Sequence, residues 1–174
     1  MKTEALERYL NSFGKQVVNR AKGNLQKAKG GGTNLEKSIS FKIITDTDGF
    51  SVQFFMDNYG TFVDKGVSGT AVGRSFKDYK GSTVSSPYKY TSKQPPSRVL
   101  DKWIVKKNIA PRDEKGRFMS RKSISFLIAR SIKRKGIQGI SFFQKPLMLG
   151  LKQFGKEMLG AVKEDIINGL TTVK

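Results

Sequence analysis

The sequence predicts an α+β fold: a small antiparallel sheet, made of a hairpin and one or two further strands, packed against a long N-terminal helix and a C-terminal helix, with a long loop inserted. Three observations predict it. A 3.6-residue apolar periodicity runs unbroken from Thr3 to Lys29, two period-two runs flank Asp46-Thr47-Asp48-Gly49, and a second helical periodicity begins at Pro146. The 174 residues are enough to bury a core, and 1–174 reads as one domain with a long interaction loop or arm at 65–96.

In the first helix, Leu6, Tyr9, Leu10, Phe13, Val17, Ala21, Leu25 and Ala28 recur at steps of three and four, with Arg8, Lys15, Arg20, Lys22 and Lys27 opposite. Gly30-Gly31-Gly32 ends it, because glycine accepts a left-handed cap and opposes helix continuation. At ~1.5 Å per residue the helix is ~40 Å long, so part of it is expected to project onto a neighbour. Ile39, Phe41 and Ile43 then alternate with Ser40, Lys42 and Ile44, and Phe50, Val52, Phe54 and Met56 with Ser51, Gln53 and Phe55. Such runs around an Asp-Gly turn predict a hairpin. Two strands alone are marginal, and the first helix offers an apolar stripe to cover them.

From Lys65 to Pro96 periodicity disappears among Gly66, Gly69, Gly73 and Gly81, and the aromatics Phe76, Tyr79, Tyr88 and Tyr90 look exposed. A structureless stretch of that length in a compact domain is uncommon and points to an interaction loop that orders on a partner. A short helix is expected from Ser97, its N-cap, to about Asn108, with Val99, Leu100, Trp103 and Ile104 inward. Another covers Ser120 to Lys135, with Ile124, Leu127, Ile128 and Ile132 inward. Residues 136–143 read as an extended, glycine-punctuated segment. Pro146 suits the first turn of a last helix whose apolar face is Leu147, Leu151, Phe154, Met158, Val162, Ile166 and Leu170.

Composition narrows the function. Without Cys there are no disulfides, thiolate metal sites or cysteine nucleophiles, and without His the commonest general base and metal ligand are missing. Most hydrolytic triads and transition-metal enzymes are excluded. The expectation is a protein that is not an enzyme and uses no cofactor. No apolar run reaches the ~18–20 residues of a transmembrane helix. Met1 to Arg8 lacks a signal-like apolar region, so the chain is expected to have no membrane partner and to remain in the cytoplasm where it is made.

Charge asks for a partner. The chain has 33 Lys+Arg against 14 Asp+Glu, a formal net +19. Lys115 to Lys156 holds eleven basic residues and no acidic one. Arg121, Lys122, Arg130, Lys133, Arg134 and Lys135 are the candidate docking or DNA-facing residues, the last four being enough to meet several phosphates. The alternatives are an acidic neighbour in an assembly or a solvated face. No recognised DNA-reading motif is evident.

The carboxylates offer little chemistry. Asp46 and Asp48 form a D-x-D better read as turn chemistry, and Asp57 and Asp64 lack the further acids a two-metal nuclease site needs. Gly69-Thr70-Ala71-Val72-Gly73-Arg74-Ser75 fails as a phosphate-binding P-loop, with three residues between its glycines and Arg where Lys belongs.

Tyr59-Gly60-Thr61-Phe62-Val63-Asp64-Lys65-Gly66 follows directly on the hairpin, and Phe143-Gln144-Lys145-Pro146-Leu147 opens the last helix. In these segments, and in the order of its elements, the chain resembles the tail-completion or neck (head–tail joining) proteins of tailed bacteriophages. That family carries aromatic-x-x-aromatic-Val-Glu-x-Gly after its hairpin and a Phe-x-Arg-Pro-Ala-like element before its last helix. Asp64 stands for the usual Glu, Lys145 for Arg and Leu147 for Ala, and the region 65–135 is longer than the family's insert. The resemblance implies a structural virion protein without a catalytic site, forming a hexameric or dodecameric connector ring at the neck or top of the tail. Its neighbours would be portal, neck or tail proteins and packaged DNA. The candidate contact residues are Tyr59, Phe62, Val63, Asp64, Phe76, Tyr79, Tyr88, Tyr90, Phe142, Phe143 and Pro146. Plain core packing is the stronger alternative for Tyr59, Phe62 and Val63, Asp64 would pair with a basic group of its own or a neighbouring subunit, and Phe142, Phe143 and Pro146 would lock the last helix within or between subunits.

Overall fold

A computed structural model describes residues 4–46 and 49–172, the side chains of 169–172 excepted. Asp48 and the side chain of Leu170 therefore lie outside the described residues. The fold is α+β, with long helices at both ends and small antiparallel sheets. Its order is α1 (Glu4–Lys29), α2 (Asn34–Ser38), β1 (Ser40–Asp46), β2 (Gly49–Phe55), α3 (Gly60–Lys65), β3 (Val67–Ser68), β4 (Ser75–Lys77), β5 (Thr83–Ser85), α4 (Ser97–Lys106), α5 (Arg121–Lys135), β6 (Gly136–Ile137) and α6 (Gln144–Thr172). Two compact units emerge: Met1–Asp64 with Lys77–Thr83 and Ile140–Lys174, and Lys65–Phe76 with Val84–Gly139.

In the first unit the apolar stripe of α1 is buried at Leu10, Phe13, Val17, Ala21 and Leu25, while Ala28 is exposed in the last turn. Gly30, at φ +81°, donates its N–H to the Gln26 carbonyl and stops the helix. The short α2, not evident from periodicity, starts at an N-cap with a second bond one residue before it. Thr33 Oγ1 accepts the Glu36 N–H, and the Glu36 carboxylate accepts the Gly32 N–H. A hydrogen bond from Gln26 holds that carboxyl below the usual carboxylate range.

The hairpin pairs Phe41 with Phe54 and Ile43 with Val52, which puts these four side chains on one face. That face packs on α1 closely enough that a Cβ on Gly14 would run into the Phe41 ring. Rings of Phe13, Phe54, Phe143 and Phe154 meet edge to face at centroid distances of 4.9–6.4 Å. Leu25, Leu35, Ile39 and Phe142 complete the core. The further strands form two-stranded sheets of their own, β3 with β6 and β4 with β5, and do not extend the hairpin.

α6 runs antiparallel to α1 along most of its length. Asn24 Nδ2 donates to the Phe142 carbonyl near one end and Tyr9 Oη to the Phe154 carbonyl further along. At the other end the Asp165 carboxylate accepts the N–H groups of Ala5 and Leu6, both at 2.9 Å. The stripe of α1 from Leu10 to Leu25 is thus covered within its own chain, while Leu6 stays partly exposed.

In the second unit α4 packs on α5, and only Ile104, Ile124, Ser125 and Ala129 on the two helices are buried. The expected inner faces are corrected here: Val99, Trp103 and Leu127 are exposed, as is Phe126. Two short helices that cover each other along a narrow seam bury one residue per turn and leave the flanking positions out. The N-cap of α4 is Pro96, so Ser97 is its first helical residue, whereas Ser120 caps α5 through the Ser123 N–H.

Asp165 is 3% exposed, and its two carboxylate oxygens take up the Ala5 and Leu6 N–H groups at the start of α1. Asp165→Ala is expected to cost about 1–3 kcal/mol, read as a lower urea midpoint at unchanged m value.

Candidate functional site

Where the chain leaves the hairpin, Tyr59-Gly60-Thr61-Phe62-Val63 coils into α3 instead of extending the strand. The three-residue spacing of the aromatics then sets Tyr59 and Phe62 on the same side of a helical turn. They are 46% and 43% exposed, which corrects the core-packing reading for both. Val63 turns inward against the core. Partial burial, then the charge and hydrogen bond of Asp57, push the Tyr59 phenol up.

Asp64 is 2% exposed. Its Oδ1 accepts the Phe143 N–H at 2.8 Å and the Gln144 N–H at 3.5 Å, so the carboxylate caps the start of α6 from 79 residues away. Beside it, the carbonyls of Val63 and Asp64 accept the N–H groups of Ile140 and Ser141. The sequence expected Asp64 to pair with a basic group; the role seen here is this cap, because a buried carboxylate needs several donors and a helix start supplies them. Phe142, Phe143 and Pro146 are buried in the same unit. With Asp64 they lock α6 within the chain, which withdraws all four as contact residues.

The same unit carries a groove of about 430 Å³, lined by Leu6 and Leu10 of α1, Phe50 and Val52 of β2, and Leu151 and Met158 of α6 among others. Sequence reading assigned these side chains to core stripes. Pattern alone does not tell a stripe that closes on a neighbour from one that stays partly open.

The stretch 65–96 is ordered by backbone hydrogen bonds and a few side-chain ones. The Ser68 N–H donates to the Tyr88 carbonyl, the Tyr90 N–H to the Ser68 carbonyl, and Ser86 Oγ to the Gly66 carbonyl. Asp78 Oδ1 accepts the N–H groups of Lys80 and Ser82 in the β4–β5 turn. Such bonds leave no periodic trace, so the stretch read as structureless. Phe76 is buried, with the Lys65 ammonium 5.9 Å from its ring centroid, and is likewise withdrawn as a contact. Tyr79 is exposed, and Tyr88 and Tyr90 are half-buried, burial pushing the Tyr90 phenol up.

The P-loop-like stretch has a different task. The N–H groups of Thr70 and Ala71 donate to the Lys133 and Arg134 carbonyls, and Arg74 Nε to the Lys135 carbonyl at 2.9 Å. The loop thus satisfies the C-terminal carbonyls of α5. The N–H groups of Gly69, Thr70 and Ala71 and the Arg74 guanidinium are spent on protein.

The basic residues of α5 fall into two groups, Arg121 and Lys122 at its start and Arg130 to Lys135 at its end, ~13 Å apart along the axis. Lys133, Arg134 and Lys135 occupy the last turn, where cations favourably meet the helix dipole. Lys133 Nζ also donates to the Ser92 carbonyl at 2.6 Å. Thr70, Gln94, Phe126, Arg130, Lys133 and Arg134 line a concavity of about 480 Å³. Guanidinium donors beside an exposed aromatic ring and two neutral hydrogen-bonding side chains suit a phosphodiester with its base, or an acidic peptide.

No cluster of three or more His, Cys, Asp or Glu able to hold a metal occurs among the described residues. Asp46 is exposed at the end of β1, Asp57 is half-buried past β2, and Asp64 lies under α6.

Gly136 closes α5 at φ +73°, where a Cβ would run into the Val67 carbonyl oxygen and lie 2.5 Å from the Gly69 nitrogen. Gly136→Ala is expected to cost about 2–4 kcal/mol and to strip hydrogen-exchange protection from the last turns of α5. No family model, curated protein or solved structure matches this chain.

Proposed function

We propose that the chain is a structural virion protein of a tailed bacteriophage, a ring-forming neck or tail-completion subunit that works through contacts and has no catalytic site. One observation carries the reading. The two segments in which the sequence resembles that family meet in the fold, where Asp64 of the first caps the helix opened by Phe143-Gln144 of the second. The family-like residues thus form one structural joint. Tyr59 and Phe62, exposed beside that joint, are its candidate contacts, with Tyr79 as a further one.

In a closed ring one patch meets a different patch on the next subunit, so losing either side opens the ring. Truncating Tyr59 and Phe62 to Ala is expected to cost about 1–2 kcal/mol per contact and to shift the particle mass from ring to monomer, with the far-UV circular dichroism kept. A ring that persists in the double variant would overturn the assignment of these contacts.

A second reading is a basic DNA-binding protein without sequence specificity. The concavity beside Phe126, Arg130 and Arg134 favours it. Mass in solution at low and high salt, with and without a short random duplex, separates the two. A salt-resistant hexamer or dodecamer supports the ring, and duplex binding that vanishes at high salt without any ring supports the alternative. Arg130→Glu with Arg134→Glu is expected to remove two phosphate contacts, and with them about 2 units of log–log salt slope in any duplex binding. In a ring that docks on acidic neighbours, the same variant should assemble yet fail to join them.

A further inference from the structure

The first turns of α4 and α5 lie side by side. Ser97, Arg98, Asp101 and Lys102 of the one and Arg121, Lys122 and Ser125 of the other line a pocket of about 540 Å³. Helix spacing explains why these residues share it. Arg98 and Lys102 are four apart on α4, and Ser125 follows Arg121 by four and Lys122 by three on α5, so each set occupies one helix face.

The pocket's electrostatics favour an anion. Four cationic side chains face one carboxylate, Asp101, whose Oδ1 stands 4.0 Å from Arg121 Nε in a half-exposed pair. Neither helix has an acidic residue in its first turn, and the N-cap of α4 makes no side-chain hydrogen bond to its N–H groups. The first N–H groups of a helix have no intrahelical acceptor and carry the positive end of its dipole.

A second, independent observation comes from Ser125. It is 3% exposed, lines the pocket, and its Oγ meets no hydrogen-bond partner among the described residues. A buried hydroxyl without a partner destabilises the fold as a lost hydrogen bond does, which natural interiors rarely tolerate. Alanine in its place would pack equally well and remove that cost.

We propose that this pocket binds a phosphate group, with Ser125 Oγ–H as a buried donor to one oxygen and Arg98, Lys102, Arg121 and Lys122 balancing its charge. The same chemistry reaches the site from a free anion or from a nucleic-acid backbone. The site shares no residue with the ring contacts or with the concavity at the other end of α5, so its failure leaves both earlier readings standing.

The test titrates inorganic phosphate into the full chain against chloride at equal ionic strength, following melting temperature and calorimetric binding. The wild type is expected to gain melting temperature and bind one phosphate. Ser125→Ala is expected to melt higher than wild type without phosphate, because the unpaired hydroxyl is gone, and to bind phosphate about tenfold more weakly. Lys122→Gln, at an exposed position, is expected to lower phosphate affinity severalfold and leave the phosphate-free melting temperature unchanged. Asp101→Asn is expected to raise affinity. A short duplex that displaces the bound phosphate identifies a backbone source, and one that leaves it in place identifies the free anion. Phosphate acting no differently from chloride, or Ser125→Ala binding as tightly as wild type, overturns the proposal.

Discussion

A buried carboxylate on a helix start is the constraint on which the first unit depends. Asp64, at the end of the short α3, presents Oδ1 to the N–H groups of Phe143 and Gln144 and so sets where α6 begins. Once α6 begins there, its course along α1 brings Asp165 to the N–H groups of Ala5 and Leu6, a second buried carboxylate on a second helix start. Each aspartate meets two requirements together. The charge needs donors if it is to leave water, and the helix start needs acceptors. The exposed Arg8–Glu164 pair at the same end, 3.2 Å apart, adds little, since exposed ion pairs are largely offset by solvation.

The second unit solves the same problem from the other terminus. Its α5 ends on carbonyls that the loop from Thr70 to Arg74 takes up through two backbone N–H groups and a guanidinium. With few side chains buried between α4 and α5, hydrogen bonds do much of the ordering, and Val99, Trp103, Phe126 and Leu127 stay at the surface.

The net charge of +19 is compatible with a compact chain because its cations are distributed. Lys133, Arg134 and Lys135 sit where a helix C-terminus favours them, and Arg121 and Lys122 stand at the other end of α5. A cluster that reads as one basic run along the sequence becomes two sites facing two pockets. Repulsion among them falls with separation and with salt, while each remains able to hold an anion of its own.

Much of the scaffold was legible in the sequence because it rests on periodicity. The 3.6-residue pattern of Leu10, Phe13, Val17, Ala21 and Leu25, the alternation around Gly49, and the entry of α6 near Pro146 are local signals, and each marks an element that exists. What escaped depends on partners distant in the chain. Tyr59 and Phe62 fitted core packing as well as contact, and only the turn into α3 shows their three-residue spacing as one exposed side. Phe142, Phe143 and Pro146 looked as able to join two subunits as to join two elements, and only packing shows them buried in one chain. The stretch 65–96 read as structureless because the bonds that order it, most between backbone groups and some from single side chains such as Ser86 and Asp78, follow no periodicity. Ser125 gave no signal, since an isolated serine in a helix gains meaning only when a neighbouring helix buries it without a partner. The sequence by itself determined the two long helices, the hairpin, the existence of α4 and α5 and the sign of the charge, because these depend on residues a few positions apart. Which aspartate caps which helix, and which cations share a pocket, were decided by the tertiary structure, because those pairings join residues tens of positions apart that only the fold brings within hydrogen-bonding distance.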